Sequence, residues 1–309
     1  MRQAGRYMHE YQALRKKHDF LSLCHNPELI CQVTHLPIDA FGFDAAILFS
    51  DILLILEPLG FDLRFYDDVG PVIANPLEVG QVPQYRSVVP KLDFALQGIT
   101  LLKNSLKVPL IGFSGAPFTV ASYAIEGKSS RDMRKTKKWL LEDPESFEKV
   151  LDVIADCTIE YLNAQLDAGC DAVQIFDSWA MHLAAPQFDR FVKKPLEKIT
   201  KGLKKAPILF CRGTSAFTKK LADISPQALS FDWTCNLKDV RSDLDICLQG
   251  NLDPDILLTN PQTVIREARA LLDSMKYDPA FIFNLGHGIH KDTPRENVQA
   301  LVDCVKSYA

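Results

Sequence analysis

Six side chains scattered along the chain are of types that could together handle an anionic molecule: Arg2, Arg6, Asp51, Tyr123, Ser178 and His287. Arg2 and Arg6 flank Gly5 in "MRQAGRY". A guanidinium can grip a carboxylate through two parallel charge-assisted hydrogen bonds. The glycine argues for a loop over a helix, although a solvated basic terminus would read the same way. Asp51 closes the apolar run "ILFSD", and apolar residues resume directly after it. An unpaired buried carboxylate is very costly, so Asp51 must face a cavity or be satisfied by buried donors. It could cap a helix, accept hydrogen bonds from a ligand, or stabilise positive charge formed during a reaction. His287 sits between Gly286 and Gly288, a setting for a tight turn or a close approach of backbone to ligand. With an ordinary pKa near 6.5 it could donate to a carboxylate or move a proton. Tyr123 falls in a helical stretch, where it either packs in the core or reaches its hydroxyl over a strand end.

Other chemistries find little support. Ser178 lacks the GxSxG elbow and any assignable triad, so it does not read as a nucleophile. His287 and His290 give an HxxH spacing, but no HExxH or Cys/His cluster accompanies it and no metal is expected. GxGxxG and GxxxxGK[ST] are both missing. What remains is a cationic, hydrogen-bonding set suited to a small polyanionic substrate and to proton transfer.

These residues need elements to bring them together. Seven short runs are apolar on nearly every position and end in small or polar residues: "DAAILFSD", "VPLIGFSG", "DAVQIFDS", "APILFCRG", "LSFDWT", "CLQGNLDP" and "FIFNLGHG". A strand covered on both faces reads this way. Helical patterns lie between the runs, as a parallel sheet requires. Asn26, Asp143 and Asn260, each followed by proline, begin helices, and Thr293 with Glu296 has capping-box spacing. The long interval from Ile52 to Lys107 leaves room for a hairpin or an excursion over one barrel end. A TIM barrel needs eight strands, so the abrupt "MRQ" start predicts a (β/α)8 barrel cut before or within its first strand. An open α/β sheet is the alternative. One domain spanning 1–309 is expected, because no linker-like tract divides the chain. In such a barrel, function collects at the C-terminal strand ends. That rule selects Arg2, Arg6, Asp51, Ser178 and His287 together with Ser114, Gly115, Asp177, Arg212, Gly213 and Asp232, and leaves out Tyr123 on its helix.

Composition narrows the class. The chain has 309 residues, 47% hydrophobic and 24% charged, and a net charge of −4, so local geometry must attract any anion. No basic block or aromatic-basic stripe suggests nucleic acid. No uninterrupted apolar run reaches membrane-spanning length, and no membrane association is expected. Eight cysteines without a CxxC pair fit free thiols in a reducing cytoplasm, or an organelle interior if a targeting segment lies upstream.

The same residues carry a family resemblance. "MRQAGRY", "FGFDAAILFSDIL", "GFSGAPFTVASYAIEG", "SFDWT", "QGNLDP" and "FIFNLGHGI" followed by "TPRENV" occur in that order. Across essentially the whole chain they resemble the uroporphyrinogen decarboxylase family. The resemblance implies a distorted (β/α)8 barrel acting as a homodimer. Its reaction removes carbon dioxide from the four acetate side chains of uroporphyrinogen III, leaving methyl groups and coproporphyrinogen III, without metal or organic cofactor. By the same resemblance Asp51 faces the pyrrole NH groups, and Arg2, Arg6, Tyr123, Ser178 and His287 surround the carboxylates. Chemistry then makes Arg2 the choice for the group associated with proton delivery, or for orienting the departing carboxylate while a substrate carboxyl or water carries the proton. Family members carry further residues before "MRQAGRY", including the strand that positions it. Two other readings stay open: a related barrel methyltransferase, and a truncated or inactive paralogue that binds porphyrinogen or a partner without turnover.

Overall fold

The structure, a computed structural model, describes residues 1–308. All seven apolar runs are strands. In chain order, with the hairpin included, they are β1 (Ala46–Ile47), β2 (Leu63–Tyr66), β3 (Gly70–Ile73), β4 (Leu110–Gly115), β5 (Ala172–Asp177), β6 (Ile208–Cys211), β7 (Ala228–Ser230), β8 (Cys247–Leu252) and β9 (Phe281–Leu285). The main sheet runs β1-β4-β5-β6-β7-β8-β9, and every neighbouring pair in it is parallel. β6 and β7 are buried at every position, which is why their sequences show no polar alternation. Helices separate the strands, the longest being Pro144–Ala168 between β4 and β5. The largest apolar cluster draws on residues from Tyr7 to Cys304. This is a TIM-barrel type of fold, a parallel sheet curled inside helices.

The sheet has seven strands, and among the described residues no ladder joins β1 to β9. Near that gap lies the segment of residues 1–4. Gln3 Nε2 donates to Ala45 O at 2.8 Å, and Ile47 N donates to Gln3 Oε1 at 2.9 Å. One side-chain amide thus serves the free edge of β1 as a neighbouring strand would. On the other side, a Cβ placed on Gly288, just past β9, would lie 3.4 Å from Arg2 Cβ. The segment holding Arg2 therefore contacts both edges of the sheet.

The long interval contains the expected hairpin, β2 paired antiparallel with β3. Its turn is tied to the N-terminal segment by an Arg15–Asp67 ion pair and by Arg6 Nη1 donating to Asp67 O at 3.2 Å. Asn26, Asp143 and Asn260 cap their helices through the amides of Leu29, Ser146 and Thr263. The Thr293–Glu296 box does not form. Pro294, extended at φ −62° and ψ 132°, takes the cap position of helix Arg295–Lys306, which leaves Thr293 one residue too early. The Thr293 hydroxyl is buried without a partner. Replacing Thr293 with valine keeps the shape and removes an unmet polar group. It is expected to preserve or raise stability, by about 1 kcal/mol, in a urea titration.

Candidate active site

Arg2, Arg6, Asp51, Tyr123, Ser178 and His287 all line one cavity of about 540 Å³. The hairpin residues Phe65, Tyr66, Gly70 and Pro71 form part of its wall. Its apolar wall comes from the strands: Phe113 on β4, Phe176 on β5 and Phe210 on β6. Successive ring centroids are 5.6 and 5.9 Å apart.

Asp51 follows β1 where the chain leaves the sheet. Leu53 N donates to its Oδ1 at 2.9 Å. The side chain is half-buried, and what stays exposed opens into the cavity. Burial among apolar neighbours raises its pKa from 3.8 to about 6. The Leu53 hydrogen bond and the Arg2 charge oppose that rise, and Glu57 adds to it. Near neutral pH this carboxylate is ionised yet poorly solvated, and it is primed for donors from a ligand.

Arg2 and Arg6 lie in an irregular segment ahead of helix His9–Arg15, as the intervening glycine predicts. The Tyr7 hydroxyl donates to Gln3 O at 2.6 Å and helps fix this segment. Tyr123 lies on helix Pro117–Glu126, its ring edge-to-face with Trp179 at 5.9 Å. Burial, and then the Asp51 charge, push its hydroxyl pKa upward, so it stays a neutral donor. Ser178 directly follows β5, and its amide donates to Thr119 Oγ1 at 2.8 Å. Its hydroxyl has no imidazole or carboxylate partner among the described residues.

His287 departs from the ordinary titration range expected of it. Its ring lies 6.1 Å from that of Phe210 and 6.4 Å from that of Trp233. Burial, then the Arg212 and Arg2 charges, lower its pKa to about 4. Near neutral pH it is a neutral imidazole with one N–H to offer. His290 does not join it: its Nε2 pairs with Asp255 Oδ1 at 2.8 Å. Among the described residues no three histidine, cysteine or acidic side chains gather as a metal site would require, and the eight cysteines are free.

Several strand-end residues serve the loops instead of the cavity. Asp177 is fully buried and accepts from Thr119 Oγ1, Trp179 N and Ala180 N at 2.9, 2.9 and 2.7 Å. Asp232 accepts from Gly213 N at 2.5 Å and Thr234 N at 2.9 Å. Ser114 is buried, and its hydroxyl has no partner. Gly115 has no room for a side chain, since a Cβ there would lie 2.6 Å from Val120 Cγ2. Arg212 does reach the cavity, with its guanidinium 5.9 Å from the Trp233 ring centre. The strand-end rule had marked it, but no motif did. Arg15, Trp179 and the three phenylalanines also line the cavity, and nothing in the sequence separated them from ordinary surface or core residues. A second chamber of about 440 Å³ adjoins the first, sharing Arg2, Arg6, Arg212 and His287 and adding Trp233, His290 and Lys291.

Residues 1–308 match the family model for "Uroporphyrinogen decarboxylase (URO-D)". The chain is 51% identical to a uroporphyrinogen decarboxylase of Protochlamydia amoebophila over 314 residues, covering 99% of this chain and 86% of that one. It is 40% identical to one from Actinobacillus succinogenes, covering 100% of this chain and 92% of the relative. Among solved structures, a methyltransferase from Methanosarcina mazei superposes with a TM-score of 0.81 at 23% identity, covering 93% of this chain and 88% of the other, which is a likeness of fold. With cavity, strand order and sequence in agreement, the chain belongs to the uroporphyrinogen decarboxylase family.

Proposed function

We propose that this chain decarboxylates uroporphyrinogen III, converting its four acetate side chains to methyl groups and releasing four molecules of carbon dioxide. The observation that carries this reading is Asp51, ionised but poorly solvated, in an aromatic-walled cavity whose one other lining carboxylate, Asp67, is paired with Arg15, and whose remaining polar side chains are cationic or neutral. A porphyrinogen offers the complement: pyrrole N–H groups at its centre and carboxylates around its rim.

The chemistry follows from the substrate. Protonating a pyrrole on a ring carbon makes a cation that accepts the electron pair of the breaking bond to the carboxylate carbon. Carbon dioxide leaves, and a proton delivered to the resulting methylene completes the methyl group while the ring proton departs. Each round consumes one proton. No external electron sink is needed, so on this reading turnover survives dialysis against a chelator. Asp51 accepts the N–H groups and stabilises the cationic ring. Arg2 orients the departing carboxylate. A guanidinium is a poor intrinsic acid, so a substrate carboxyl or water carries the proton beside it. Arg6, Tyr123, Ser178 and neutral His287 hold the remaining carboxylates.

The test is incubation with uroporphyrinogen III under reducing conditions, following the hepta- through tetracarboxylate products. Failure to form any of them would reject the reading and leave a binding protein without turnover. Methyl transfer to a thiol or corrinoid would point to the other branch of the fold. We also take the chain to be a homodimer, which light scattering would check, and to work in a reducing compartment, consistent with its eight free cysteines. No helix among the described residues is long and apolar enough to cross a membrane.

A further inference from the structure

The second chamber has a charge imbalance that the main cavity does not account for. Arg2, Arg212 and Lys291 all line it. Among the described residues, none of the three forms an ion pair or a side-chain hydrogen bond. Arg15, Arg64, Arg190, Arg241 and Arg295 each have a carboxylate partner. Asp255, also in the chamber wall, is engaged by His290. Cations that outnumber the single carboxylate in one concave space attract anions into it.

Arg212 is also held in place. Its amide donates to Asp177 O at 2.9 Å, and the next amide, of Gly213, donates to Asp232 Oδ2 at 2.5 Å. Gly213 adopts φ +64°, and a Cβ there would lie 2.8 Å from Met181 Cβ, so the turn is specific to glycine. The guanidinium lies against the Trp233 ring. A planar donor set so placed loses little freedom on meeting a carboxylate.

We propose that this chamber is a second carboxylate subsite, with Arg212 as its specificity-determining residue and Lys291 as its outer cation. It takes rim carboxylates of the macrocycle that reach past Arg6 and His287, which both chambers share. The identity of that ligand rests on the decarboxylase reading, whereas the subsite itself does not.

Two measurements separate the two claims. Tricarballylate, a small flexible tricarboxylate, serves as the probe in calorimetry at low ionic strength. It is expected to bind wild type, to bind Arg212→Gln and Lys291→Gln about tenfold more weakly, and to recover part of the loss in Arg212→Lys. In steady-state assays the two glutamine variants are expected to raise KM for uroporphyrinogen about tenfold while kcat stays within about twofold. Lys291 is exposed, so its variant tests the subsite even if Arg212→Gln folds poorly. Tricarballylate affinity unchanged in both glutamine variants, or absent from wild type, would overturn the subsite. If wild type binds the probe as expected but releases no product from uroporphyrinogen, the subsite stands and the decarboxylase reading falls.

Discussion

Asp51→Asn is expected to lower kcat/KM for uroporphyrinogen by about 10²–10³-fold while leaving a folded and more stable protein at pH 8. The catalytic loss is the scale seen when one preorganised electrostatic group is removed. Asparagine keeps the shape but offers no negative charge to a cationic ring. The stability gain follows from the environment that displaces the pKa. The folded carboxyl titrates near 6 instead of 3.8, chiefly through burial. A raised folded value means that the favourable contribution is complete below about 3.8 and lost as pH rises through about 6. Above that, keeping Asp51 ionised in the fold costs about 3 kcal/mol. The advantage of the variant should therefore fade as pH falls toward 4, which urea titrations at several pH values would show. In wild type, kcat/KM should drop about tenfold per pH unit below 6, and the variant should lack that limb. Turnover near wild type would remove Asp51 from the mechanism.

Gly286→Ala is expected to cost roughly 3 kcal/mol in stability and to abolish most of the activity of whatever remains folded. A Cβ at this position would lie 2.7 Å from Trp233 N and 3.1 Å from both Cα and C of Asp232. All three are backbone atoms, which cannot rotate away. Relief requires β9 to separate from the turn that carries Trp233, and His287 would move with it. Gly5→Ala is the control. Its nearest atoms would be 3.7 Å away, in the side chains of Arg2 and Tyr7, and its urea midpoint should barely change. Equal midpoints for the two variants would show that the β9 turn yields more easily than its packing implies.

The strands were legible because both of their faces are covered, which leaves an unbroken apolar run that no amphipathic helix would show. Asp51, Ser178 and His287 could be placed at one mouth because the barrel sends every strand end to the same side, whereas Tyr123 entered only as a helix residue whose hydroxyl could reach over a strand end. The rule overreached at Asp177 and Asp232. A carboxylate at a strand end can turn inward to bind loop amides, and sequence does not distinguish that from facing a ligand. Phe113, Phe176 and Phe210 escaped notice for the opposite reason, since an apolar residue on a strand reads alike whether it faces helices or the cavity. The Thr293 box failed on a matter of one residue, with proline taking the cap. The low pKa of His287 comes first from burial and then from the Arg212 and Arg2 charges, all set by parts of the chain remote in sequence, so no local reading could supply it. Among the described residues the sheet has seven strands, and at its open margin the amide of Gln3 takes up the β1 edge.

That amide ties two equilibria together. The two hydrogen bonds that keep β1 from fraying also set the position of its neighbour Arg2, so opening of the sheet margin and release of the guanidinium are one event. An anion held by Arg2 therefore draws free energy of binding into the rigidity of the barrel wall. Conversely, loosening at the margin weakens the grip on the anion without altering any group that touches it.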